Sequence, residues 1–151
     1  MKESKKVRLH QICIEQLEKK IASLERTIQD TQKAAQADTK SSAGDKFETT
    51  REMMKQEMDK NGVQLSQARE MLSHLQQLDP YLKNDRISYG SLAHTNEGIY
   101  YFAVSFGKVV INDQFYFVLS MASPIGKALR NRKAGEEVAF MGRKIRVEKV
   151  F

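Results

Sequence analysis

Residues 7–28 read VRLHQICIEQLEKKIASLERTI, and this stretch decides the first half of the fold. Its apolar side chains recur at alternating spacings of three and four residues. That is the a/d pattern of a helix that packs along one partner helix. The series consists of Ile14, Leu17, Ile21, Leu24 and Ile28, with Ala35 one heptad later.

A second seam of the same period follows after residue 50. It consists of Met54, Met58, Leu65, Ala68, Leu72 and Leu75. Asn61 takes the seam position between Met58 and Leu65, a polar interruption of the kind that fixes register. The segment 38–45, DTKSSAGD, is a turn by composition. The two seams therefore predict an antiparallel coiled-coil hairpin as a domain at 1–78, with helices near 5–37 and 46–78 and its tip near 41–48.

The second half of the chain has the period of strands. Asp79-Pro80 ends the second helix, because the residue before a proline is pushed out of the α region. Apolar and aromatic runs at 99–106, 109–111, 115–119, 137–141 and 144–150 predict strands, and Asn112-Asp113 and Gly142 predict turns between them. Ser123-Pro124 predicts the start of a short helix. Residues 79–151 are therefore expected to form a small α+β domain, with an antiparallel sheet and one short helix.

Composition excludes several classes of function. The formal net charge is +6, from 25 basic and 19 acidic residues, which is mild for a protein that binds DNA alone. Cys13 is the single cysteine, so neither an internal disulfide nor a Cys-based zinc site can form. The three histidines are scattered, and we expect them at the surface or at its boundary. No run approaches the roughly 18 apolar residues of a membrane span. We therefore expect a cytoplasmic protein without membrane contact.

Two motifs carry a resemblance to a known family. Residues 123–138 read SPIGKALRNRKAGEEV, which resembles the SPLGKALLGKKVGDEV segment of the Gre family of transcript-cleavage factors. At the expected hairpin tip, residues 44–48 read GDKFE, similar to the family's GDLKEN tip with both acids at the same spacing. The order of hairpin, acidic tip and C-terminal motif extends the resemblance over nearly the whole chain.

The resemblance implies a fold and a function. It implies an FKBP-like C-terminal domain that docks at the rim of the secondary channel of bacterial RNA polymerase. The residues expected to bind the polymerase are those of the matching motif: Ser123, Pro124, Ile125, Gly126 and Lys127. It also implies that the hairpin enters the channel, where the carboxylates of Asp45 and Glu48 help to hold the second Mg²⁺ and position a water. The polymerase then cleaves the 3′ end of a backtracked transcript. The protein itself is expected to be a monomeric accessory factor, with no enzymatic activity and no cofactor of its own.

The residue chemistry at the tip suits this role. Asp45 and Glu48 are three residues apart at a helix start, so they share one face. Mg²⁺ prefers carboxylate oxygens and keeps several waters, so one or two added acids can suffice. The same spacing is also that of a capping box, in which the two acids only stabilise the helix start.

Other interpretations remain open at this stage. Phe47 and Thr49 depart from the family tip, which is compatible with a Gre-like or Rnk-like regulator that occupies the channel without stimulating cleavage. An FKBP-like fold also raises prolyl isomerisation, and two seams also occur in coiled-coil adaptors and dimers. Arg130, Arg132 and Lys133 form either a solvated loop or a docking patch for an acidic surface. The aromatic residues of the strands are expected mostly in the sheet core.

Overall fold

The computed structural model describes residues 4–41 and 45–151, and for residues 38–41 and 45–48 it describes the backbone alone. The described residues form three helices and six strands. The helices are α1 (Lys5–Ser41), α2 (Asp45–Gln77) and α3 (Pro124–Leu129). The strands are β1 (Leu92–Thr95), β2 (Ile99–Phe102), β3 (Gly107–Ile111), β4 (Gln114–Leu119), β5 (Glu137–Phe140) and β6 (Arg143–Val150).

Helices α1 and α2 pack along the two predicted seams. Every seam side chain is buried or half-buried, and the positions between them are mostly exposed. Glu25 of α1 pairs with Arg69 of α2 at 2.7 Å. Farther along α1, Ala34 borders the same groove as Thr50 near the start of α2. Residue numbers rise along α1 as the facing numbers fall along α2, so the helices are antiparallel and the predicted hairpin is confirmed.

The strands form one mixed sheet in the order β3-β4-β2-β1-β6-β5. Strands β2 and β4 are parallel, with Tyr100 beside Phe117, whereas the other neighbours are antiparallel. The α+β prediction is confirmed, but the prediction of a purely antiparallel sheet was wrong. The period of a strand sets which side chains share a face. It does not set which strand becomes the neighbour, because the hydrogen bonds between strands join backbone groups.

Both predicted turns between strands are found, whereas one strand was not predicted. Asn112 and Asp113 both have positive φ, of 49° and 66°, as a two-residue type I′ hairpin turn requires. Met141 and Gly142 have the same signs between β5 and β6. Strand β1 was missing from the predicted strands, although it pairs with both β2 and β6. Its four residues, LAHT, are too short a run to show an alternating pattern.

The chain forms two compact units, one of residues up to Ile14 together with Ser73–Phe151, and one of Glu15–Leu72. The domain division at residues 78 and 79 stays a prediction. In the first unit, one face of the sheet packs against α3 around Tyr100, Phe102 and Leu129. The other face meets the start of α1, where His10 Nδ1 lies 2.8 Å from the Tyr101 hydroxyl. The sheet is therefore covered by different elements on its two faces.

Candidate docking site at the start of helix α3

Helix α3 begins where the sequence predicts. Ser123 is its N-cap, with extended backbone angles (φ −65°, ψ 159°), and Pro124 takes the first helical position. The Gly126 N–H donates to Ser123 Oγ at 3.0 Å, and the Lys127 N–H donates to the Ser123 carbonyl at 2.9 Å. The N-cap side chain thus accepts from one of the N–H groups that a helix start leaves without a partner. The segment is a capped helix N-terminus rather than an irregular loop.

Gly126 lies where no side chain fits. A Cβ built on it would meet the carbonyl oxygens of Ser120 and Met121 at 2.6 Å each. Both atoms belong to the backbone, which cannot give way as the end of a long side chain can. The glycine of the motif is therefore required for the close approach of α3 to the segment that follows β4. Its presence has a structural cause, whatever the motif binds.

The remaining side chains of the motif divide between core and solvent. Leu129 is fully buried in the cluster beneath α3, and Ile125 is half-buried and packs against that cluster. Pro124 and Lys127 are exposed. Of the predicted polymerase-binding residues, these two are therefore the side chains that a partner can contact without disturbing the fold.

The loop after α3 is tied by its backbone to Ile87, in the segment that precedes β1. The Asn131 N–H donates to the Ile87 carbonyl and the Ile87 N–H to the Arg132 carbonyl, both at 2.8 Å. Asn131 has a φ of 66°, a left-handed conformation that asparagine tolerates. Arg132 pairs with Glu136 at 3.4 Å, whereas the side chains of Arg130 and Lys133 are exposed. Together with Lys127 they give this end of the unit an exposed positive charge.

An exposed apolar surface on β3 and β4 lies on the sheet face that α3 covers elsewhere. Val110, Phe115 and Phe117 are 53%, 49% and 37% exposed. Val110 opposes Phe115, Lys108 opposes Phe117, and the Lys108 ammonium lies 4.2 Å from the centre of the Phe115 ring. Phe117 also contacts the buried Tyr100, with ring centres 5.9 Å apart. We call these four residues, Lys108, Val110, Phe115 and Phe117, the aromatic face.

The aromatic face was not found from the sequence. The expectation that the strand aromatics lie mostly in the core is confirmed for Tyr101, Phe102 and Tyr116, which are fully buried or nearly so. Phe115 and Phe117 are the exceptions. Strand alternation places them on the face opposite Tyr116. Only the structure shows that α3 stops short of that half of the sheet.

The predicted tip acids fall outside the described side chains. Helix α2 begins at Asp45, and Glu48 follows three residues later in its first turn. Their backbones are helical, so the two residues share one face of the helix. The positions of their carboxylates lie outside the described part of the chain. The predicted Mg²⁺ role of Asp45 and Glu48 therefore stays a prediction.

Comparison with known proteins gives a likeness to solved structures. No model of a protein family matches the chain. No curated protein matches it either. The chain is similar to a structure of the transcription factor Gfh1. The two share 20% sequence identity over 91% of this chain and 92% of that one, and the TM-score is 0.37.

The described residues form neither a metal-binding cluster nor a membrane-spanning helix. Within them, no three His, Cys, Asp or Glu side chains lie close enough together to hold a metal ion. No helix among them is both long and apolar enough to cross a membrane.

A buried polar cluster joins α1 to the sheet. His10 is only 4% exposed, so the expectation of a surface or boundary histidine was wrong for this residue. Burial lowers its pKa, and the ring is held by the Tyr101 hydroxyl. Cys13, one helical turn farther along, is fully buried, and burial raises its pKa to about 12. The thiol is therefore protonated and unreactive at neutral pH.

Proposed function

We propose that this protein is a transcription elongation factor that binds bacterial RNA polymerase at the secondary channel, in the cytoplasm, and stimulates cleavage of backtracked RNA. The proposal rests on the sequence resemblance of residues 123–138 and 44–48 to the Gre family. The observation that supports it most directly is the motif helix α3, which presents Pro124 and Lys127 on a rigid, capped start. Rigid presentation lowers the entropy lost when a partner binds.

The docking surface in this proposal consists of the start of α3 together with the aromatic face. Lys127, Arg130 and Lys133 carry exposed positive charge beside it, which would attract an acidic polymerase surface and raise the association rate. Val110, Phe115 and Phe117 supply exposed apolar area. Aromatic side chains dominate the energetics of many interfaces. The proposed partner surface is therefore acidic at its edge and apolar at its centre.

The proposed role of the hairpin tip is to add carboxylates to the polymerase active centre. Asp45 and Glu48 would hold the polymerase's second Mg²⁺, which supplies two-metal hydrolysis of the phosphodiester bond. Carboxylate oxygens are suitable ligands for this ion. The hydrolysis belongs to the polymerase, so the factor alone is not expected to cleave RNA. It needs no cofactor of its own in this scheme, and it would act as a monomer near the transcript 3′ end.

A second candidate function is a regulator that occupies the channel without stimulating cleavage. Phe47 and Thr49 favour it, because they stand where the family tip carries a polar residue and an asparagine. Both candidates require docking, and they differ only in whether bound factor shortens the RNA.

Docking is tested by measuring how well two charge-changing variants compete with the unmodified protein for binding to polymerase. Pro124→Glu keeps the helix start favourable, because acidic residues are stabilising in a first turn. Combined with Lys127→Glu it should weaken binding at least tenfold, by about 1.4 kcal/mol or more. Lys144→Glu, which makes the same Lys-to-Glu change at an exposed position of β6, is the control and should bind as the unmodified protein does. Equal binding by all three proteins would reject this surface. Ile125 is left unchanged, because a charge there would disturb the core that it contacts.

A further inference from the structure

A cavity of about 540 Å³ lies in the compact unit of the sheet, away from α3 and the aromatic face. Its walls come from the first turn of α1, the segment 80–83 after α2, strand β1 and the end of β6. The volume lies within the range of small-molecule sites in proteins, about 300–1,000 Å³. None of the residues assigned to docking or to the hairpin tip lines it. Its role is therefore separate from the proposed function.

The inner wall of this cavity is apolar and aromatic. Leu92 is buried there, and the Phe151 ring packs edge-to-face on the His94 imidazole, with ring centres 5.5 Å apart. The Tyr81 side chain is exposed at its border. Its backbone is fixed, because the Tyr81 N–H donates to Asp79 Oδ1 at 2.9 Å. The cavity thus offers ring faces on which a flat ligand can stack.

The remaining wall is strongly basic. Lys5, Lys83 and Lys149 come from three different elements, are exposed, and form no ion pair with any residue of the described part of the chain. No described Asp or Glu lines the cavity. Lys6 is different, because its ammonium donates to the carbonyls of Leu82 at 2.7 Å and Phe151 at 3.2 Å. Lys6 thus fixes the wall, and Lys5, Lys83 and Lys149 line the cavity with charges that no described acid pairs.

Two further observations concern the electrostatics of this wall. Burial lowers the pKa of His94 and the charges of Lys5 and Lys149 lower it further, whereas Glu148 raises it. The imidazole is therefore close enough to Lys5 and Lys149 to sense their charge. The first turn of α1 has no acidic residue. The Val7 N–H donates to Ser4 Oγ at 3.1 Å, but no acidic side chain of the first turn offsets the positive end of the helix dipole.

We propose that this cavity binds a nucleoside diphosphate, with the base against the Phe151 and Tyr81 rings and the phosphates at Lys5, Lys83 and Lys149. Three ammonium groups on separate elements match a ligand with several negative charges better than a single carboxylate. The aromatic wall adds stacking that an inorganic anion cannot use. Charge and shape together select an anion with a flat apolar body.

Calorimetric titration of the full chain with ADP, GDP, pyrophosphate and adenosine tests the proposal, with the His94 ring signals followed by NMR. Both diphosphates should bind and shift the His94 signals, whereas adenosine should bind at least tenfold more weakly. Lys83→Ala with Lys149→Ala should weaken ADP binding by about tenfold for each ammonium removed. Lys20→Ala with Lys144→Ala removes the same net charge from exposed positions outside the cavity, and it should leave binding unchanged.

Several results would overturn the proposal. Absence of heat and of any His94 shift with both diphosphates would show that the cavity takes no nucleotide. Equal weakening by the two double variants would show general charge attraction rather than a site. Pyrophosphate binding as tightly as ADP would remove the role of the rings. A hexaglutamate peptide that binds with the same lysine dependence while ADP does not would identify a peptide site instead.

Discussion

Asn61 is the position where the hairpin gives the sharpest stability prediction. It occupies a seam position of α2, is 7% exposed, and its Nδ2 donates to no acceptor in the described part of the chain. A buried amide without a partner costs about 1–3 kcal/mol. Replacing Asn61 by leucine removes that cost and adds apolar surface to the seam. The branched side chain has a different shape, and overpacking can return about 1 kcal/mol of the gain.

The net expectation for Asn61→Leu is a gain of about 1–3 kcal/mol in the free energy of unfolding. Helix propensity contributes only a few tenths of this, since leucine and asparagine differ little on that scale. Urea unfolding followed by far-ultraviolet circular dichroism measures the change. Gln67→Leu, at an exposed position of the same helix, is the control and should shift the midpoint only slightly. A destabilised Asn61→Leu protein would refute the reasoning, because it would show that the amide is satisfied in the native hairpin.

The same variant tests the interpretation of Asn61 as a register device. A polar seam residue selects one pairing of helices at a cost in stability. With leucine in its place, other registers and intermolecular pairings become more favourable. We therefore expect light scattering to show some dimer in the variant and none in the unmodified protein. A variant that is strictly monomeric would limit the role of Asn61 to stability.

Further predictions concern the unit that contains the sheet. Gly126→Ala should destabilise the protein by about 1–2 kcal/mol, because the added Cβ meets backbone oxygens at 2.6 Å. Thermal unfolding measures this loss, and an unchanged melting temperature would contradict the prediction. Tyr101→Phe should lower the free energy of unfolding by about 1–3 kcal/mol at neutral pH, because it removes the hydroxyl that lies 2.8 Å from His10 Nδ1. Urea unfolding measures the loss. A loss below about 0.5 kcal/mol, the low end for a hydrogen bond, would argue against this contact. Burial lowers the pKa of folded His10 below its ordinary 6.5. Below pH 6.5 the unfolded chain therefore takes up a proton that the folded His10 does not. The free energy of unfolding should be unaffected by His10 above pH 6.5 and should fall as the pH drops from 6.5 toward the lowered value. A His10→Gln variant should lose this part of the acid dependence, and an unaltered pH profile would contradict the assignment.

The hairpin could be predicted because its physical signal is local. A seam repeating every three and four residues can be buried only against a second seam, so Leu17 and Ala68 were placed correctly without coordinates. The start of α3 was equally local, since Ser123 and Pro124 define an N-cap and a first turn by their own chemistry. In both cases the residues that determine the structure lie within a few positions of one another.

The remaining features depend on contacts between residues distant in sequence. The parallel pairing of β2 and β4 and the inclusion of β1 follow from the topology of the whole sheet. The exposure of Phe115 depends on where α3 ends over the sheet, and the burial of His10 depends on Tyr101, which is 91 residues away. The carboxylates of Asp45 and Glu48 stay a prediction from the motif alone.

Stimulation of cleavage is tested by following RNA length in a stalled, backtracked elongation complex after the purified factor is added. Asp45→Asn with Glu48→Gln is the decisive variant, and because asparagine is as favourable as aspartate at a helix start, it should lose little stability. We expect the unmodified protein to shorten the transcript, and the variant to bind polymerase equally well without shortening it. Raised Mg²⁺ should partly restore the variant, because it has lost ligands rather than its fold. If the unmodified protein occupies the channel and the RNA keeps its length, the protein does not stimulate cleavage and is instead a non-cleaving regulator of the channel.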